Sequence, residues 1–131
     1  MYYSYKIEKE KKLKKISESA IQQQCLKWFA FQYPKLANDG LLFSIPNGAN
    51  KSIAQAMKFK REGLVSGIPD LMLAVPKGIY HGLFIEMKAA KGKPSANQIK
   101  MIGKLRDQYY YVDIINSFEQ FTSLINKYLA Q

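Results

Sequence analysis

Ser66-Gly67-Ile68-Pro69-Asp70-Leu71 and Leu83-Phe84-Ile85-Glu86-Met87-Lys88 decide the reading of this chain. The first segment places an acid at the start of an apolar run. The second ends the next apolar run on an acid and a lysine, one residue apart. Alternate residues of a strand point to the same face, so Glu86 and Lys88 share a face and Met87 turns the other way, into the core. Pro69 disfavours helix for Ile68, and Gly67 lets the chain turn sharply ahead of Asp70. Two carboxylates that converge can hold a hard divalent cation through oxygen. Such a cation polarises a phosphoryl oxygen and makes hydroxide from water near neutral pH. A neighbouring lysine orients that water or offsets transition-state charge. Taken alone, Asp70 reads as a turn aspartate, and Glu86 as one half of a salt bridge to Lys88 or Lys104. Their pairing across two strands shifts the reading toward a metal site.

Working outward, Ser17 caps a helix that runs to about Tyr33 and is stopped by Pro34, with Ala20, Ile21, Cys25, Trp28 and Phe29 as its apolar stripe. Leu41 to Ile45 is a short strand, and Pro46-Asn47-Gly48-Ala49-Asn50 is a loop rich in turn residues. Ser52 caps a helix through about Arg61, closed by Gly63. Asp70 to Val75 and Gly82 to Met87 are neighbouring strands joined by a hairpin loop, Pro76 to His81. A flexible basic loop, Ala89 to Pro94, follows. Ser95 then caps a helix to about Tyr109, Tyr111 to Ile115 is a last strand, and Ser117 to Leu129 is an amphipathic helix. The order is α-β-α-β-β-α-β-α, an α/β chain. Residues 1–16 are Tyr- and Lys-rich, a basic arm or the start of a longer helix, and residues 17–131 form the folded domain.

The length of 131 residues suits one domain with a real core, and 47% apolar content argues against a disordered chain. Lys and Arg number 20 against 10 Asp and Glu, a formal net charge of +10. A polyanionic partner accounts for that excess, although solvated lysines alone can also produce it. The single cysteine, Cys25, excludes an internal disulfide and a multi-cysteine zinc site; it reads as a small buried hydrophobe and fits a reducing cytoplasm. No apolar run reaches the roughly 20 residues of a membrane span, so no membrane partner is expected. The N-terminus lacks the apolar stretch of a secretory signal. His81, the only histidine, cannot support a multi-histidine metal site. Gly78-Ile79-Tyr80 spells half of a GIY-YIG nuclease signature whose other half is missing at a suitable distance.

The combined set resembles the VRR-NUC (virus-type replication-repair nuclease) family of the PD-(D/E)xK superfamily. Ser66 to Leu71, Tyr80 to Lys88 and Lys93-Pro94-Ser95-Ala96-Asn97-Gln98 carry the resemblance, which reaches back through Ile45-Pro46-Asn47-Gly48 to Glu18-Ser19-Ala20-Ile21-Gln22. It covers about residues 17 to 129, and a stand-alone domain is similar to the phage and prophage type. It implies a restriction-endonuclease-like core, a mixed four-stranded sheet flanked by helices. It implies Mg²⁺ or Mn²⁺ held by Asp70 and Glu86, with the carbonyl of Met87 as a further ligand and Lys88 at the attacking water or scissile phosphate. Glu18 and Gln22, four residues apart on one helix face, read as a solvated pair without the resemblance; with it, Glu18 reaches the metal or a water beside it. Gln98 is either a capping-box residue three positions after Ser95 or an active-site neighbour. Asn47 is either a tight-turn residue or a point of phosphate approach. Lys51, Lys58, Lys60 and Arg61, with Lys91 and Lys93 just after Lys88, are placed to grip DNA phosphates rather than read bases.

The function expected is metal-dependent endonucleolytic hydrolysis of DNA, in a bacterial or phage-infected cytoplasm. Branched or Holliday-junction DNA would suit it, with a homodimer cutting opposed strands. The alternative is a noncatalytic basic nucleic-acid-binding module. Two acids facing phosphate argue against that, because they repel the ligand unless a cation lies between. A third reading, an interaction protein using Phe118, Phe121, Leu124, Ile125 and Tyr128, is weaker because that stripe is better explained as core.

Overall fold

The computed structural model describes residues 16–46 and 52–131. The basic arm, apart from Ile16, lies outside the described residues, as do Asn47 and Lys51. The described elements are α1 (Glu18–Gln32), α2 (Pro34–Asn38), β1 (Leu42–Ser44), α3 (Ile53–Arg61), β2 (Leu71–Leu73), β3 (Leu83–Met87), α4 (Ala96–Asp107), β4 (Tyr111–Ile115) and α5 (Phe118–Leu129). The four strands form one mixed sheet in the order β1-β2-β3-β4, antiparallel across the first two pairings and parallel between β3 and β4. The α/β class and the helix-flanked, mixed four-stranded sheet are as the sequence implied.

Serines start four of the five described helices. The side chains of Ser17, Ser52, Ser95 and Ser117 accept the N–H three residues on, and Gln55 and Gln98 complete capping boxes. Pro34 does stop α1, but it also opens the short helix α2, an element the sequence reading did not contain. A first helical position lacks an intrahelical N–H partner anyway, so proline fits there. Helix α4 ends at Asp107, earlier than expected from sequence. Tyr109 adopts a left-handed φ of 62°. The N–H groups of Tyr110 and Tyr109 then bond the carbonyls of Leu105 and Arg106, a Schellman closure built on a tyrosine where glycine is usual.

Alternation along the strands sorts the core into two layers. Leu71, Leu73, Leu83, Ile85, Met87 and Ile115 face α1 and α5, where Ile21, Cys25, Phe29, Phe121, Leu124 and Ile125 meet them. Phe84 and Val112 face the other way, against Ile102 of α4. The aromatic stripe of α5 is therefore core. Burial pushes the Cys25 thiol up to about 11, which makes it an inert hydrophobe. The outer edge of β4 is partly closed by side chains. The pairing of Tyr111 N–H and Ile115 C=O with β3 turns the groups of Val112 and Ile114 outward. Arg106 then donates to the Val112 carbonyl at 2.9 Å, and Asp113 accepts the Ile114 N–H at 2.8 Å. These bonds occupy two of the groups through which an edge strand recruits another chain.

Candidate active site

The two acids meet where β2 begins and β3 ends. Leu71 pairs with Ile85, and Glu86 pairs with Ile114. Continuing the β2–β3 register by one residue sets Asp70 opposite Glu86, and directly opposed residues share a face. Ile45 N–H bonds the Asp70 carbonyl at 2.7 Å, which ties β1 into the same row. One step further the register would set Pro69 opposite Met87, and proline has no N–H for a ladder. The Asp70 side chain takes over there: its Oδ2 accepts the Met87 N–H at 2.8 Å. The carboxylate thus caps the strand end and is held against it. In an extended strand the carbonyl of a residue faces the same side as its N–H, so the Met87 carbonyl also faces the gap that β2 leaves.

Gly67 fixes the approach to Asp70. Its φ is 84°, and a Cβ there would lie 2.6 Å from the Asn97 carbonyl oxygen at the start of α4. The Ser66 hydroxyl accepts from the Asn97 amide at 3.3 Å. The loop before Asp70 and the first turn of α4 are therefore clasped, and only glycine permits the close backbone approach.

Glu86 is 1% exposed. Its Oε1 accepts from Lys88 Nζ at 2.9 Å and from Gln98 Nε2 at 3.0 Å. Burial pushes its carboxyl up to about 7; Lys88 opposes that shift and the adjacent Asp70 reinforces it. Lys88 follows Glu86 by two residues on the same face, as the sequence required. The partner of Glu86 is therefore Lys88, not Lys104. Gln98 fills both roles left open by the sequence: its Oε1 accepts the Ser95 N–H at 2.8 Å in the capping box while its Nε2 reaches Glu86. The loop Ala89–Pro94, expected to be flexible, is pinned. Asn116 Nδ2 donates to the carbonyls of Ala89 at 3.0 Å and Gly92 at 3.2 Å. The clasping roles of Asn97 and Asn116 escaped the sequence reading, because one asparagine at a helix start or after a strand carries no distinctive spacing.

Asp70, Glu86, Lys88 and Gln98 are thus brought together. Glu18 and Gln22 are not joined to them by any described hydrogen bond. Glu18 is exposed and Gln22 half-buried. Helix α1 packs on the sheet face opposite the Glu86 side chain. It runs in the same direction as α5, since Trp28 meets Phe118 and Phe121 while Tyr33 bonds Asn126. Its first turn therefore leads toward the end of the sheet where Lys88 emerges. Among the described residues no group of three or more His, Cys, Asp or Glu side chains converges on one point. Lys60, Arg61, Lys91 and Lys93 are exposed, and exposed Lys58 lies 3.9 Å from Glu62. No helix among the described residues is long and apolar enough to cross a membrane.

This strand-end pair of acids, on a mixed sheet with helices on both faces, defines a PD-(D/E)xK-related nuclease fold. The VRR-NUC domain model matches residues 7–119, and the chain belongs to that family of nucleases. A solved structure described as a "VRR_NUC domain protein" is 28% identical, with a TM-score of 0.77 over 90% of this chain and 92% of that one. No curated protein matches this chain.

Proposed function

We propose that this chain is a divalent-metal-dependent DNA endonuclease. The observation that carries the proposal is the row Asp70–Glu86 at the ends of adjacent strands, with Lys88 ion-paired to Glu86 at 2.9 Å. The donor chemistry fits Mg²⁺ or Mn²⁺. Asp70, Glu86 and the Met87 carbonyl offer oxygen alone, which hard cations take. Both described donors to Glu86 fall on Oε1, and the Met87 N–H falls on Oδ2 of Asp70. The second oxygen of each acid is the natural ligand atom. Glu18, at the leading end of α1, is a candidate additional ligand through water.

A bound cation would supply charge neutralisation at the phosphate and a water of lowered pKa. The chain's own groups do the rest. Asp70 and Glu86 would hold that cation at the strand ends. Lys88, 14% exposed at its side chain and held by Glu86, presents its ammonium to the attacking water or to a phosphoryl oxygen. Gln98 holds the Glu86 carboxylate in one orientation. A junction-resolving role would need two such sites, hence a homodimer. A noncatalytic module has less support, since a buried acid beside Asp70 would weaken the grip on phosphate if nothing neutralised the pair.

The test is cleavage of labelled linear, flapped and four-way-junction DNA with Mg²⁺, Mn²⁺ or EDTA, with the cut positions mapped. Metal-dependent cuts are expected. Absence of cleavage on every substrate in both metals would overturn the reading.

A further inference from the structure

Beside the carboxylates, and separate from them, lies a cavity of about 490 Å³. Ala56 and Lys60 of α3, Leu64 and Ile68 of the following loop, the cap residue Ser95 and Gln98 of α4 line it. That volume falls within the roughly 300–1,000 Å³ of small-ligand sites. Gln98 is shared: its amide donates to Glu86 at 3.0 Å, and the residue also forms part of the cavity wall. A molecule in the cavity therefore sits one side chain away from the acid pair.

The walls are largely aliphatic. Helix α3 buries no residue of its own. Ile53 and Met57, which share the Ala56 side of the helix by their spacing, are 81% and 55% exposed, and Val65 on the cavity wall is 50% exposed. Such uncovered apolar surface asks for an occupant. Lys60, four residues after Ala56 on the same helix face, adds a cation to that apolar wall. A flat ring attached to phosphate matches both features, its faces on the aliphatic walls and its edges toward Ser66, Ser95 and Gln98, and a nucleotide is such a molecule. A larger groove of about 670 Å³ lies between β4 and α5, on the sheet face away from Glu86, and mixes Asp113 and Glu119 with Lys127. It offers phosphate no consistent charge.

We propose that the α3–α4 cavity takes an unstacked nucleotide that flanks the scissile phosphate. The inference rests on the nuclease reading of Asp70, Glu86 and Lys88. A base paired and stacked inside a duplex cannot cover these walls; a base released at a flap, gap or branch point can, at little unstacking cost. The cavity thereby favours DNA with a discontinuity at the cut, and Lys60 holds the adjoining phosphate.

The experiment uses the full chain carrying Glu86→Gln, which binds without cutting, and DNA with 2-aminopurine at each position around a flap or branch point. One position should brighten several-fold on binding, as its base leaves the stack. Ala56→Phe, which fills the cavity, should abolish that signal. It should also weaken flap and branched DNA by about tenfold, while intact duplex changes far less. Val65→Trp on the rim repeats the test should Ala56→Phe fail to fold. No brightening at any position, or a signal and affinity unchanged by a folded cavity-filling variant, overturns the proposal. Wild-type cleavage in Mg²⁺ is scored separately. A chain that cuts but never brightens the probe loses this inference alone, and one that never cuts loses the reading beneath it.

Discussion

Gln98 donates from Nε2 to Oε1 of Glu86 at 3.0 Å, while its own Oε1 accepts the Ser95 N–H at 2.8 Å. The two bonds fix one another. The capping box uses the amide oxygen, so the NH₂ must face the acid; the reverse orientation would set two oxygens together. A helix start is thus the device that orients a candidate catalytic carboxylate.

Gln98→Glu separates these duties. Glutamate still accepts the Ser95 N–H, so α4 keeps its cap. It cannot donate to Glu86 and sets a third carboxylate in the site. Cleavage should fall by at least about 10²-fold, the scale of losing a preorganised hydrogen-bond donor. Gln98→Ala should lose the rate and also the acceptor for the Ser95 N–H, a hydrogen bond worth about 1 kcal/mol. A Gln98→Glu protein with undiminished turnover would reduce the residue to a cap.

Asp70 calls for a gentler substitution than alanine. Its carboxylate accepts the Met87 N–H at 2.8 Å, and leaving a buried N–H unpaired costs about 1–3 kcal/mol. Asp70→Asn keeps an acceptor oxygen but removes the charge. It and Glu86→Gln should both abolish Mg²⁺-dependent cleavage with the fold intact by circular dichroism. Lys88→Ala should keep the metal and lose about 10²–10⁴ in rate. Calorimetry showing lost metal affinity, with turnover unchanged at saturating metal, would contradict that role for Lys88.

Glu86 makes the metal-free protein sensitive to pH. Its carboxyl is pushed from an ordinary 4.5 to about 7 by burial. The folded state therefore holds that proton more tightly than the unfolded chain does. The associated stability is full below the unfolded value and is lost as pH rises from about 4.5 through 7, by at most about 3 kcal/mol. The difference between wild type and Glu86→Gln isolates this group. In denaturant titrations without metal, the advantage of Glu86→Gln should grow from pH 4.5 to 7.5 and then level off. A difference independent of pH would show that Glu86 titrates normally.

The sequence made the sheet, the capped helices and the central trio legible because each has a local signature. Ser-x-x-Gln marks a helix start, Pro-Asp a strand mouth, and Glu-x-Lys one strand face. Three features were opaque for physical reasons. Pro34 both ends α1 and begins α2, and one residue cannot announce both. Tyr109 closes α4 in a conformation that glycine usually advertises. The clasps of Ser66 with Asn97, and of Asn116 with the Ala89–Gly92 turn, join segments far apart in the chain. Gln98 lies between these cases: its cap was visible, but its reach to Glu86 depends on how α4 docks on the sheet.

The basic surface gives the final prediction. Lys60 and Arg61 are exposed in the last turn of α3, whereas Lys58 lies 3.9 Å from Glu62 and is partly neutralised by it. Lys60 and Arg61 are therefore the better pair to remove. Each phosphate contact contributes about −0.9 to the slope of log K against log salt on duplex DNA. Lys60→Ala with Arg61→Ala, in a Glu86→Gln background, should make that slope shallower by about two units and weaken every duplex sequence alike. Fluorescence anisotropy over a salt series measures both quantities. If the double variant keeps the wild-type slope, these charges only solvate α3 and the DNA lies elsewhere. Lys91 and Lys93, on the loop pinned beside Lys88, would then be the next pair to remove.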